Sequence, residues 1–176
     1  NMRFIVLDDL DGSGKDQYAK LIANYYCEKG EKVLFRVHPS DDNIFGIITK
    51  KVLHKKGKIF KIIFSIFYAL DLIRSKVKYY DKSNDTIVFS GYIMKLANFP
   101  IAISILKFLL PTPQHKFFLD IKPEDLRHRI NSLDTDDWII IDASAPLEVV
   151  TENIFIKLKQ FDKKNIKKRK IEKKKK

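Results

Sequence analysis

The chain has 176 residues, 45% hydrophobic and 12% aromatic, with a net charge of +12 and one cysteine. That suits one domain with a full core, and the lone Cys27 excludes an internal disulfide framework and fits a reducing, cytoplasmic setting. The charge is uneven: residues 162–176 hold ten Lys/Arg against two acidic residues, +8 of the total. The reading is a domain over 1–161 and a basic, unstructured tail over 162–176; a contact between that tail and nucleic acid is the sharper alternative to a merely solvated segment. The chain opens into a strand with no signal-peptide pattern.

Arg3 to Leu7 is an apolar run of the kind that a strand covered on both faces requires. Asp9-Leu10-Asp11-Gly12-Ser13-Gly14-Lys15-Asp16 follows, and then an amphipathic helix from Lys15 to Lys29, with Tyr18, Leu21, Ile22 and Tyr25 on one face and Gly30 as its stop. Strand, glycine turn, lysine and helix make a phosphate-binding loop. Backbone N–H groups and the helix N-terminus meet the anion, and the lysine reaches its terminal phosphates. The match to G-x-x-x-x-G-K-[ST] is partial, with Asp9 at the first glycine and Asp16 at the hydroxyl. A carboxylate about 4 Å from a phosphate charge costs roughly 1–4 kcal/mol between water-like and surface dielectrics. A Mg²⁺ bridged by Asp16 would reverse that sign.

Lys32 to Val37 is the second strand, and Arg36 stands at its carboxyl end, where open α/β sheets bind ligands. Pro39 forces an extended chain, and Ser40-Asp41-Asp42 offers an N-cap to a short helix over Ile44 to Leu53. Ile59 to Tyr80 reads as a long, mostly buried helix. Its uncharged core, Ile62 to Leu70, is far below the ~20 residues of a membrane span. Asp71 and Arg74 can share a face of it, as site residues or as an exposed ion pair. Asp85 to Phe89 is strand three, and Met94 to Leu110 is helical or mixed around Pro100. Strand four covers Lys116 to Leu119, with a helix from Pro123 to about Ile130. Strand five is Trp138 to Ile141, and the last amphipathic helix runs from Pro146 to Phe161. Strands alternating with helices give a three-layer α/β domain with a parallel sheet and right-handed crossovers.

The residues resemble the thymidylate kinases, P-loop nucleoside monophosphate kinases that phosphorylate dTMP from ATP. Phe4 to Lys15 is similar to their strand and loop, and Phe67 to Asp71 to their substrate helix ending in Asp-Arg. Thr86 to Tyr92 is similar to the strand running into Asp-Arg-Tyr. Leu119-Asp120 with Pro123-Glu124 and Arg129-Ile130, then Trp138 to Ser144, resemble the later strands. The resemblance implies a P-loop kinase fold with a five-stranded parallel sheet of order 2-3-1-4-5. It also implies ATP and Mg²⁺ at residues 9–16, with Lys15 as a catalytic cation. Asp16 as metal ligand follows from carboxylate chemistry, and Arg74 is the catalytic cation expected to take over part of the task of the arginine missing after Asp71. Arg36, Asp71, Arg74 and Tyr92 would be the dTMP contacts. A homodimer stays open and no membrane is involved.

The departures from the family are specific. Leu72 replaces the arginine after Asp71, Ser90-Gly91-Tyr92 replaces Asp-Arg-Tyr, and Asn131 to Asp137 is too short for an arginine-rich lid. One arginine acting on the transferred group is worth ~10³–10⁵ in rate. The expectation is a dTMP kinase of low or absent turnover. The alternative is a non-catalytic nucleotide- or partner-binding module derived from that fold.

Overall fold

A computed structural model describes residues 2–10, 12–125 and 138–175. Strands β1 (Arg3–Asp8), β2 (Val33–Val37), β3 (Thr86–Ser90), β4 (His115–Asp120) and β5 (Ile139–Asp142) form one sheet in the order β2-β3-β1-β4-β5. All four strand pairs are parallel. This is the order and direction that the sequence leads one to expect.

Period-two alternation sends Phe4 and Val6 to one face of β1, and Ile5 and Leu7 to the other. On the first face they meet Ile87, Phe89 and Phe118, covered by Tyr68 and Leu72 of α3 (Lys58–Tyr79) and Leu106 of α4 (Pro100–Leu109). On the second they meet Val88, Phe117 and Ile141, covered by Tyr18, Ile22 and Tyr26 of α1 (Lys15–Glu28) and by Val150, Ile154 and Leu158 of α5 (Leu147–Lys174). Both faces are therefore buried, which is why β1 and β3 read as unbroken apolar runs. The remaining helix, α2 (Ile44–Val52), packs on α3.

The register aligns Val37 and Leu7 with Ser90, and Asp120 with Asp142. The carboxyl ends of the strands thus share one edge, where the phosphate loop leaves β1.

Met94 to Leu110 is broken at Pro100, as the sequence reading has it: a 3₁₀ turn, Ile93–Leu96, comes before the break and α4 starts on the proline, because proline starts a helix better than it continues one. The C-terminal stretch differs from the sequence reading: the last helix does not stop at Phe161 but continues to Lys174. No Pro or Gly interrupts it, and Lys, Arg and Glu are good helix formers. Its base is tied down: Arg3 Nε donates to Asp162 at 3.1 Å and Tyr26 OH donates to the same carboxylate at 3.2 Å. Residues 163–175 are exposed. The helix expected from Pro123 is described only as a 3₁₀ turn, Pro123–Asp125; Arg129, Ile130 and the Asn131 to Asp137 stretch lie outside the described residues.

Cutting the chain after Phe161 removes the Asp162 anchor, with two hydrogen bonds of about 1–2 kcal/mol in total after solvent exposure is discounted. That should lower Tm by roughly 2–8 °C. Cutting after Lys163 should move it by less than about 2 °C. Calorimetry on both truncations checks this, and equal melting would show the anchor to be idle.

His115 lies between Phe117 and Phe161, its ring 4.1 Å from that of Phe161, and its buried Nε2 lacks a hydrogen-bond partner. Burial pushes its pKa down to about 4. The unfolded chain therefore binds the extra proton first, and this residue's contribution to stability is lost as pH falls from about 6.5 through 4. His115→Phe keeps the ring contacts and removes both the orphan atom and the titration. Its Tm gain over wild type should be larger at pH 5 than at pH 8, and a gain independent of pH would contradict this account.

Candidate active site

β1 ends on Asp8, which is wholly buried. Its Oδ1 accepts the Asp9 N–H at 3.1 Å and its Oδ2 accepts the Met94 N–H at 2.7 Å. Burial raises its pKa to about 7, against the lowering effects of Met94 N–H and Lys95. One carboxylate thereby fastens the phosphate loop to the 3₁₀ turn after β3.

Asp9 is 3% exposed. Its Oδ2 accepts both the backbone N–H and the hydroxyl of Ser13, at 3.1 and 2.8 Å. Its Oδ1 is buried without a hydrogen bond, 3.4 Å from Lys95 Nζ. Gly14 caps α1 with φ of +80°, a conformation that favours glycine. Lys15 then opens the helix and pairs with Asp16 Oδ1 at 3.0 Å. The same oxygen accepts the Ser90 hydroxyl. Burial acts to raise the Asp16 pKa, but the Ser90 hydrogen bond and the Lys15 charge outweigh it and hold the group below the usual carboxylate range. Leu10 packs against the core, Gly12 is open to solvent, and Asp11 lies outside the described residues.

A second polar cluster covers the end of β2. Arg36 grips Asp42 with two nitrogens, at 2.6 and 3.2 Å, reaches Ser40 Oγ and Ser75 Oγ, and lies 4.1 Å above the Tyr79 ring. The Arg36 hydrogen bonds hold Asp42 far below the usual carboxylate range. Arg74 points to the same carboxylate, its Nη1 at 3.7 Å, buried and without a hydrogen bond. Asp71 is wholly buried, accepting the Ser40 N–H at 2.7 Å and Asn43 Nδ2 at 3.0 Å. Asn43 in turn caps α2. Asp71 and Arg74 both face one turn, residues 40–43, which their i, i+3 spacing on α3 allows. Every recorded hydrogen bond to Asp71 comes from that turn.

The two clusters join through His38. Its N–H donates to the Ser90 carbonyl at 2.8 Å. Its Nδ1 lies 3.0 Å from the Gly91 carbonyl and its Nε2 2.6 Å from Ser75 Oγ. A carbonyl only accepts, so Nδ1 carries the proton and Nε2 accepts from Ser75. Burial holds this imidazole neutral, its pKa pushed down to about 4. Tyr92 turns the other way, into the core beside Phe4 and Phe89, its hydroxyl donating to the Pro111 carbonyl at 2.6 Å.

The loop cluster thus joins Asp9, Ser13, Lys15 and Asp16, which the sequence singles out, to Asp8, Ser90 and Lys95. Lys95 escaped notice: it lies in a stretch read only as helical or mixed, and a lone lysine among Ile93, Met94 and Leu96 was the signal available. Among the described residues no three acidic, His or Cys side chains gather as a metal site. The donors that face the loop, Asp16 and Ser90, are hard oxygens of the kind Mg²⁺ shares with phosphates.

A five-stranded parallel sheet of this order, with a strand–loop–helix turn on its central strand, is the P-loop kinase fold. The thymidylate kinase family model matches residues 7–137, and the chain belongs to that family. The chain is 40% identical over 52 residues to a protein described as a probable thymidylate kinase of Pyrococcus horikoshii, covering 30% of this chain and 25% of that one. It is 42% identical over 50 residues to the Pyrococcus abyssi protein of the same description, covering 28% and 24%. The aligned stretch is therefore about a quarter of the length of each relative. The crystal structure of thymidylate kinase from Ehrlichia chaffeensis superposes with a TM-score of 0.67 at 14% identity, over 90% of this chain and 99% of that one, which shows the shared fold.

Gly91 stands where the family resemblance implies an arginine. It has φ of +89°, and a Cβ there would meet the His38 carbonyl oxygen at 2.5 Å. Gly91→Arg should therefore not restore a substrate cation. It should lower Tm by several degrees, as a strained and crowded backbone position does. Thermal melting of the variant checks this, and an unchanged Tm with improved nucleotide binding would contradict it.

Proposed function

We propose that the chain is a dTMP kinase-type phosphotransferase that binds ATP at residues 9–16 and turns over slowly. The observation that carries this is Lys15 at the start of α1, directly after the loop of the central strand, in a chain of the thymidylate kinase family. When phosphates arrive, Lys15 exchanges Asp16 for them. Mg²⁺ would be held by Asp16 and the Ser90 hydroxyl, supplying charge neutralisation at the transferred phosphoryl group. Arg36 and Arg74, at the carboxyl end of β2, are the cations we assign to the dTMP phosphate, with Asp71 holding the turn that positions them. An oxygen of the dTMP phosphate attacks the γ-phosphorus, the bond to the β-phosphate oxygen breaks, and ADP leaves.

Slow turnover follows from charge. Lys15, Arg36 and Arg74 all face carboxylates of the chain itself, so each must be freed or shared before it stabilises a transition state. The same self-pairing favours a second reading, a non-catalytic module that holds a nucleotide or a partner. No helix of the described residues is long and apolar enough to cross a membrane. The lone free Cys27 supports our reading of a cytoplasmic setting. The exposed stripe Ile59, Ile62, Ile66 and Leu70 on α3 is the surface we assign to a homodimer, with the end of α5 as the segment that would meet nucleic acid.

A steady-state assay with ATP, Mg²⁺ and dTMP decides between the readings. Turnover should fall below the usual ~1–100 per second of kinases, and Lys15→Ala should abolish both turnover and nucleotide affinity. A rate inside that range would refute the charge argument. Nucleotide binding without turnover would leave the module, and unchanged binding in Lys15→Ala would move the site away from the loop.

A further inference from the structure

We propose that Lys95 is the second phosphate-binding cation of the loop, and that the Asp9 carboxylate is its resting counter-ion, an internal anion seated on the loop's own donors that an incoming phosphate displaces. The inference rests on the reading of residues 9–16 as a phosphate site and assigns it a residue from outside the loop.

Geometry carries it. Lys95 belongs to the Ile93–Leu96 turn, and that turn is fixed beside the loop by the Met94 N–H bond to Asp8 at 2.7 Å. The lysine side chain is mostly buried, at 15% exposure, and ends 3.4 Å from Asp9 Oδ1. Its charge also acts on Asp8 and Asp16, lowering the pKa of each. Asp9 meanwhile takes the Ser13 N–H and hydroxyl, the kind of donors that phosphate oxygens use in such loops. Its remaining oxygen, buried and without a hydrogen bond, is turned to Lys95. A long, mobile lysine held by one buried carboxylate can transfer to a dianion or trianion in the same place. A phosphate carries more charge and more acceptor oxygens than the carboxylate it replaces.

The position also makes sense of Gly91. An arginine has no room there, because the His38 carbonyl oxygen lies 2.5 Å from where its Cβ would be. Lys95, four residues on, brings a positive charge to the loop from the same connection.

The test is isothermal titration of the full chain with inorganic tripolyphosphate and with ADP, alongside thermal melts that establish folding. Lys95→Gln should weaken tripolyphosphate about tenfold, and Lys95→Arg should restore it to within about threefold of wild type. Asp9→Asn, which keeps an acceptor for Ser13 but removes the charge, should tighten it about tenfold. In the Asp9→Asn background Lys95→Gln should cost more than in wild type, because the lysine is then free for the ligand. If Lys95→Gln alone unfolds, the double variant, which removes both charges, still supplies the comparison with Asp9→Asn. Binding that is lost in Lys15→Ala yet indifferent to Lys95 in both backgrounds overturns this proposal and leaves the loop reading intact. Binding indifferent to Lys15 as well, or absent from every variant including Asp9→Asn, overturns both. Equal losses in the two backgrounds refute the role of Asp9 as counter-ion.

Discussion

The site depends on one buried carboxylate. Asp8 closes the central strand, and each of its oxygens accepts a different backbone N–H, one from the loop that follows β1 and one from the turn that follows β3. Sheet pairing alone brings Leu7 beside Ser90 but says nothing about the direction in which either connection leaves. Asp8 supplies that direction. An unfilled acceptor at this depth would cost about 1–3 kcal/mol, more if charged, so both connections are held to the strand end, and with them Asp9, Lys15, Ser90 and Lys95.

Around that anchor the charges form two self-contained groups. Asp9 and Asp16 face Lys95 and Lys15, while Asp42 faces Arg36 and Arg74. Neutral His38 lies between them, accepting from the Ser75 hydroxyl on α3 and donating to the Ser90 and Gly91 carbonyls. A ligand phosphate must therefore compete with carboxylates already in place. Most of the chain's positive charge, +8 of +12, lies in residues 162–176 and not in these two groups.

The layers were legible in the sequence because they depend on periodicity, and the strand order was legible only through the resemblance of the motifs to those of the thymidylate kinases. Phe4 to Leu7 reads as a strand covered on both faces, and the spacing of Tyr18, Leu21, Ile22 and Tyr25 reads as a helix; the face that α1 buries carries Tyr18, Ile22 and Tyr26, while Leu21 is exposed. The loop was legible from spacing. The partners of its charges were not, since the meeting of Lys95 with Asp9 is set by a 3₁₀ turn of four residues, below the length at which a pattern can be read. Asp71 looked like a site residue for a sound reason, a carboxylate in an apolar helix. Its carboxylate accepts from Ser40 and Asn43 and so orders the turn at 40–43, contacts that no spacing in the sequence points to. The length of α5 was not legible from the charge run, because helix propensity prevails there over like-charge repulsion and because the hold of Arg3 and Tyr26 on Asp162 spans more than a hundred residues of sequence.

The close approach of the His38 carbonyl to Gly91 has a historical consequence. Once the backbone at 38 has settled into that space, a side chain at 91 cannot return by a single substitution, because every intermediate carries the clash. The order of events is constrained: the 38–40 turn must move before position 91 can change. While this contact stands, a positive charge reaches the loop from this connection through another position, as it does at Lys95.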